Sequence, residues 1–282
     1  MRIFLIFSFF LLSSCYQNQT INLNKQSNAT FCLFGDAGTG TKDQEKVAKL
    51  LKEESCDAYF YLGDIIYPKG LTSAEDKAAQ ELFFKYYGDI LESKDMFLMM
   101  GNHDYHGNVE AWLEIAKKHP KLHYPSHYYL AKINDVCFPV MNTTDFKVQQ
   151  MLWLNSLNLN GCKHKILLGH HPAKSSGKHK SPYFPLNLFL NYAMSFTNIY
   201  VAGHDHHLSY EGEVNGAHQF VSGAGGQLRS VNEELAVFAK SRLGFIKITQ
   251  EGDDLVFGLI GLEENKRKVL FTKKITSALA NP

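Results

Sequence analysis

Apolar positions come in blocks along this chain, and each block ends in the same way. Five times a run of about five apolar residues meets a glycine followed at once by Asp, Asn or His. TFCLF precedes Gly35-Asp36, AYFYL precedes Gly63-Asp64 and MFLMM precedes Gly101-Asn102-His103. KILL precedes Gly169-His170, and IYVA precedes Gly203-His204-Asp205-His206. Short apolar runs bounded by glycine predict strands buried on both faces, with polar groups just past their C-terminal ends. Between them the spacing predicts helices over residues 42–53, 73–87, 108–118 and 145–157, the last with apolar Val148, Met151, Leu152 and Leu157. Strand and helix thus alternate through the first two-thirds, an α/β pattern, and open α/β sheets carry their sites at the carboxyl ends of strands. After Asp205 the pattern changes. HQFVSGAGG, RLGFIKITQ, DDLVFGLIG and KVLFTKKIT read as successive short strands joined by glycine-containing turns.

The N-terminus, MRIFLIFSFFLLSSC, has one Arg, an apolar stretch from Ile3 to Leu12 broken only by Ser8, then small residues. It is too short to span a bilayer and reads as an export signal over residues 1–14. Leu12, Ser13, Ser14 and Cys15 resemble a bacterial lipoprotein cleavage box. Cys15 would then be the lipidated first residue of the mature chain, residues 15–29 a polar tether and residues 30–282 a single domain. The expected location is the periplasmic face of the cell envelope, with the membrane reached through the lipid on Cys15; plain secretion is the alternative.

Composition adds limits. The 282 residues are 45% hydrophobic and 20% charged, enough for a sizeable core. Twenty-nine basic against 28 acidic side chains leave a formal charge of +1, which gives no footprint for nucleic acid, so an anionic substrate must be attracted locally. Cys32, Cys56, Cys137 and Cys162 allow up to two disulfides in an oxidising compartment, in any of three connectivities. Their scatter does not resemble a zinc site. The sequons at Asn18, Asn28 and Asn142 would matter only in a eukaryotic source.

FCLFGDAGTGTK raises the question of a phosphate-cradling loop. Gly35 and Gly40 have that spacing, but Thr41 intervenes before Lys42, and Asp43 stands where a magnesium-binding hydroxyl belongs. The alternative is that Asp36 itself is a ligand, with Gly35 and Gly38 letting the chain turn so that it faces a metal. Asp36, Asp64, Asn102, His170, His204 and His206 offer only oxygen and imidazole nitrogen, a set that favours iron, zinc or manganese over copper(I) or an iron–sulfur cluster. More donors than one tetrahedral ion needs point to two ions roughly 3.5 to 4 Å apart, bridged by a carboxylate.

The ordered set GDAG, GDIIY, GNHD, GH and GHDH resembles the calcineurin-like metallophosphoesterases, and Tyr67, three residues after Asp64, narrows the likeness to purple acid phosphatases. EDKAAQELF, HGNVEAW, HYPSHYY and FVSGAG extend it to the small, tartrate-resistant type over most of residues 31–272. The resemblance implies a β-sandwich of two mixed sheets flanked by helices, with the metal site at the C-terminal ends of strands. It assigns Asp36, Tyr67 and His206 to an iron(III) site, Asp64 to the bridge, and Asn102, His170 and His204 to a site for Fe(II), Zn(II) or Mn(II). A phenol with a reference pKa near 10 ionises in acid only on a strongly charged metal.

The activity implied is hydrolysis of phosphate monoesters by a metal-activated hydroxide, persisting on the acid side. His103, beside Asn102, is the expected proton donor to the leaving group; His179 falls where the family carries a second histidine. Asp104 and Asp205 are candidate acceptors that orient imidazoles. His171 and His207 adjoin ligands but match no ligand position. Tyr124, Tyr128 and Tyr129 read as packing rather than as a substrate cleft. A small phosphorylated substrate and a monomeric protein are expected. Phosphodiester or nucleotide hydrolysis on the same scaffold is one alternative, and a surface binding lipoprotein without turnover is another.

Overall fold

The computed structural model describes residues 19–25 and 28–277; the export signal, the cleavage box and Cys15 lie outside them. In chain order the elements are β1 (Thr20–Leu23), β2 (Thr30–Phe34), α1 (Lys42–Glu54), β3 (Ala58–Leu62), α2 (Lys85–Leu91), β4 (Asp95–Met99), α3 (Glu110–Lys118) and β5 (Leu122–His123). There follow β6 (Tyr129–Ile133), β7 (Val136–Val140), α4 (Val148–Ser156), β8 (His164–Gly169), α5 (Leu186–Met194) and β9 (Ile199–Ala202). The last part is all strand: β10 (Leu208–Val214), β11 (Ala217–Ser222), β12 (Phe238–Lys240), β13 (Gly244–Glu251), β14 (Asp254–Glu263) and β15 (Lys266–Thr276).

These strands form two mixed sheets, ordered β1-β6-β7-β8-β9-β11-β10-β12 and β15-β14-β13-β2-β3-β4-β5. β2, β3, β4 and β5 run parallel in the second, and β7, β8, β9 and β11 in the first. Alternation along β2 and β3 separates two packing layers. Phe31 and Phe60 point between the sheets and meet Phe138 of β7, with ring centroids 5.0 and 4.4 Å away. Phe34 and Tyr61 point the other way, against Tyr87 of α2 at 5.2 and 5.7 Å. Toward the other end of the sandwich Phe220 of β11 stacks on Phe257 of β14 at 4.4 Å. Each such ring, fully withdrawn from water, contributes roughly 1.5–3 kcal/mol. A second apolar layer, with Trp153, Leu154, Phe189 and Leu190, packs α4 and α5 on the outer face of the larger sheet.

Of the three possible connectivities the fold selects Cys32–Cys56 and Cys137–Cys162, so the chain folds in an oxidising compartment. Two local expectations change. Residues 73–76 are not helical: Asp76 takes N–H bonds from Thr72 and Ala78 at 2.8 and 2.9 Å, local bonding that holds off the helix until residue 77, after which a π-helical segment at Ala79–Phe84 leads into α2. Part of the segment expected as a tether is strand β1, parallel to β6 from Thr20↔Leu130 to Leu23↔Ile133, because Ile21 and Leu23 reach the main core. Asn142 is buried, and its amide donates to Asp145 O and Tyr105 Oη, which withholds it from modification. Tyr124 and Tyr129 are core residues, and Tyr128 packs on Trp153 at 5.0 Å.

Candidate metal centre

Five parallel strands, β2, β3 and β4 from one sheet and β8 and β9 from the other, end at one edge of the sandwich. Their following residues carry the donors. Asp36, Asp64 and His204 all adopt left-handed backbone, with φ of 58°, 54° and 68°. Non-glycine residues enter this region seldom and at a cost of order 1–3 kcal/mol, and then mostly at functional sites. One left-handed residue after a strand turns the chain back on itself, so the side chain hangs over the strand ends.

The glycines serve close approach more than turning. A Cβ on Gly38 would lie 1.7 Å from the Ile65 carbonyl oxygen, and Gly35 has no left-handed φ, so the turn belongs to Asp36 itself. A Cβ on Gly63 would lie 2.5 Å from Nδ1 of His170, and one on Gly101 would lie 2.2 Å from Oδ1 of Asp64. Each ligand-bearing loop is therefore packed against the next.

All seven residues expected as ligands converge. The Tyr67 hydroxyl lies 2.9 Å from Oδ2 of Asp64, 3.2 Å from Oδ1 of Asp36 and 3.2 Å from Nε2 of His206. Nε2 of His170 lies 3.2 Å from Oδ1 of Asn102, 3.3 Å from Nδ1 of His204 and 3.5 Å from Oδ1 of Asp64. The His204 N–H donates to Oδ2 of Asp36 at 2.8 Å, and the His103 N–H to Oδ1 of Asp64 at 2.8 Å. Asp36, Asp64 and His170 have essentially no exposed surface.

Without a cation this arrangement is poorly compensated. One hydroxyl proton on Tyr67 faces three acceptors, and Nδ1 of His206 is buried without a partner. Burial pushes the Asp36 carboxyl well above the ordinary carboxylate value; the His170 ring opposes the rise and the Asp64 charge adds to it. Burial and then the charges of Asp36 and Asp64 push the Tyr67 phenol far above 10. Burial holds His204 far below its usual value, with His170 adding to the effect, and brings His206 down to about 4. Ligand atoms of Asp36, Asp64 and His170 lie within 4.8 Å of one another, as do those of His170, His171 and His204. The residues fit two cations, with Asp64 between Tyr67 and His170.

His103 lies against Tyr67, ring centroids 4.5 Å apart, and its Nδ1–H donates to the Pro68 carbonyl at 2.8 Å. His179 lies against His204 at 4.3 Å, and its Nδ1 pairs with Oδ1 of Asp205 at 2.8 Å. Asp205 therefore orients an imidazole, as expected, although that of His179 and not of a ligand. Asp104 orients none. Its carboxylate accepts the N–H groups of Gly101 at 2.9 Å, Ile65 at 3.0 Å and Ile66 at 3.2 Å, tying the loop after β3 to the loop after β4.

Three participants escaped the sequence. The Thr143 hydroxyl accepts the N–H groups of His170 and His171 at 3.1 and 3.0 Å and sits 3.0 Å from Nδ1 of His171. His171 joins the donor group around His204, and Arg229 stands 3.5 Å from Nε2 of His179. Thr143 and Arg229 lie far along the chain from any ligand motif, and no local signal marks them.

Lone pairs gathered at strand ends with so few protons to satisfy them suit a metal centre and not a hydrogen-bonded core. Residues 29–208 match the calcineurin-like phosphoesterase family, and the chain belongs to it. Tartrate-resistant acid phosphatase type 5 of Mus musculus is 28% identical over 211 residues, 64% of each chain. Purple acid phosphatase 3 of Arabidopsis thaliana is 29% identical over 231 residues, 70% of this chain and 63% of that one. The match thus spans less than two-thirds of the length of these curated relatives. Among solved structures, GAP50, the anchor in the inner membrane complex of Plasmodium, has a TM-score of 0.75 at 20% identity and covers 89% of this chain and 90% of its own. Purple acid phosphatase PPD1 from yellow lupin seeds has a TM-score of 0.65 at 17% identity, covering 89% of this chain and 54% of that one. Those two likenesses show the fold. The chain is thus a member of the metallophosphoesterase family with purple acid phosphatases among its relatives.

Proposed function

We propose that the protein hydrolyses phosphate monoesters at a mixed-valence centre, Fe(III) beside Fe(II), Zn(II) or Mn(II), in the manner of an acid phosphatase. The observation that carries this reading is the position of Tyr67. Its hydroxyl is the shared neighbour of Asp36, Asp64 and His206, in surroundings that oppose its ionisation, so only a highly charged cation would make it a phenolate ligand. When bound, the two cations would supply the charge that holds phosphate oxygens and the acidity that activates solvent below neutral pH. The chain's own residues do the rest. Asp64 spans both halves of the cluster, and His170, with Nδ1–H fixed on the Leu62 carbonyl, presents Nε2. His103, held through Nδ1–H on Pro68, keeps Nε2 free to carry a proton to the departing ester oxygen. In this reading the enzyme acts as a monomer outside the cytoplasm, held at the membrane by the lipid on Cys15.

The test is optical. Metal-loaded protein should be violet through ferric–phenolate charge transfer, and Tyr67→Phe should bleach it while retaining two ions by elemental analysis. Colourless protein holding two zinc or manganese ions and cleaving diesters would favour the other hydrolase chemistry; protein that binds no metal and turns nothing over would favour a binding role.

A further inference from the structure

A cavity of about 460 Å³ opens beside the metal centre. His171, His179 and His204 stand at one side of it, and most of its wall is a single stretch of chain, residues 178–186. That volume is within the range of small-molecule sites and has room for more than one aromatic ring.

The wall begins on a firm base. Ala173 and Lys174 donate their N–H groups to Oε1 of Gln219 at 2.9 and 3.1 Å. The Ser176 N–H and hydroxyl donate to Oε1 of buried Glu211 at 3.1 and 2.7 Å, and the Asn232 N–H donates to the Ser176 carbonyl at 2.9 Å. With His179 fixed on Asp205, the start of the wall cannot drift away from the metal ligands. Past His179 the character changes. Lys180 is left-handed, with φ of 57°, and the chain then presents Tyr183 at 91% exposure and Phe184 at 75%. Two large exposed rings at the mouth of a site are an unusual use of surface unless something stacks on them. Lys178 and Lys180 also line the cavity, and neither forms an ion pair among the described residues. Unpaired cations beside exposed rings match a flat, anionic guest.

We infer that this cavity receives the alcohol part of the ester, and that the preferred substrates are aryl phosphates carrying a second anionic group, the ring against Tyr183 and Phe184 and the anion toward Lys178 and Lys180. The inference rests on the phosphomonoesterase reading for its catalytic consequence, because the cavity meets the metal cluster at His204.

The experiment compares kcat/KM of the metal-loaded full chain for glycerol 2-phosphate, phenyl phosphate and 4-carboxyphenyl phosphate. Using ratios within one variant removes differences in leaving-group reactivity. Tyr183→Ala/Phe184→Ala should lower the phenyl-to-glycerol ratio by roughly tenfold. Lys178→Ala/Lys180→Ala should lower the carboxyphenyl-to-phenyl ratio by a similar factor and make it less sensitive to salt. These side chains lie at the surface, so the variants should fold. In parallel, calorimetry measures binding of 4-carboxyphenylphosphonate against methylphosphonate, which needs no turnover. If no ester is hydrolysed, the phosphatase reading fails, and the phosphonate arm still decides the cavity. An aryl preference that both variants weaken sustains the inference. Ratios and phosphonate preference that stay as in the unmodified chain overturn it.

Discussion

Nδ1 of His170 lies 2.8 Å from the main-chain oxygen of Leu62, 108 residues away in sequence. A carbonyl can only accept, so Nδ1 carries the ring proton and Nε2 is left as the lone pair facing Asn102, His204 and Asp64. The last residue of β3 thereby sets the tautomer of a donor from the other sheet. His170→Ala should remove one of two ions, by elemental analysis, and lower turnover by more than the roughly 10- to 100-fold that loss of an outer-shell partner costs. Retention of both ions at full occupancy would contradict its place as a ligand.

Gly101 offers a steric test of the same cluster. Its φ is not left-handed, so alanine brings little backbone strain, but the new Cβ would lie 2.2 Å from Oδ1 of Asp64. Gly101→Ala should displace that carboxylate, reduce occupancy of both ions and destabilise the fold by about 1–3 kcal/mol. Metal titration and urea unfolding measure the two effects separately.

His103→Ala should leave metal content intact, because the bond to Asp64 comes from the backbone N–H and survives the substitution. Turnover should fall by about 10²- to 10⁴-fold. Full activity in the metal-loaded variant would remove His103 from the proton donor's role.

The metal-free protein should respond to pH in a defined direction. Burial and the Asp64 charge push Asp104 up to about 8, so its contribution is present below 3.8 and is lost as pH rises through 8. Burial brings His206 down to about 4, so its contribution falls as pH drops from 6.5 toward 4. The two slopes oppose each other between pH 4 and 6.5. Above 6.5 only the carboxyl slope remains, with Asp36 acting in the same direction. Asp104 alone should therefore take about 2 kcal/mol of stability from chelator-treated protein between pH 6.5 and pH 8 in urea titrations, with Asp36 adding to the loss. Cations, by favouring the ionised carboxylates, should abolish that loss.

How much of this was legible depended on whether the signal was local. The runs before Asp36, Asp64 and His204 coincide with β2, β3 and β9, since a strand buried on both faces has no choice but to be apolar throughout. The hairpin of β6 and β7 went unread although Asn134 at its turn, with φ of 55°, is a residue that favours such a bend. α5 was missed because LNLFLNYAM, with only short polar interruptions, has no clean helical stripe. Ligand residues announced themselves by following glycine at strand ends. Thr143, Arg229 and the role of Asp104 did not, because each acts through backbone groups or side chains that only the fold brings near.

The donors hang from both layers: Asp36, Asp64, Tyr67 and Asn102 follow strands of the seven-stranded sheet, and His170, His204 and His206 follow strands of the eight-stranded one. Ions seated among them would act as rivets through the open end of the sandwich, where aromatic filling gives way to carboxylates. Mechanical looseness between the layers and escape of the metals then become one and the same event.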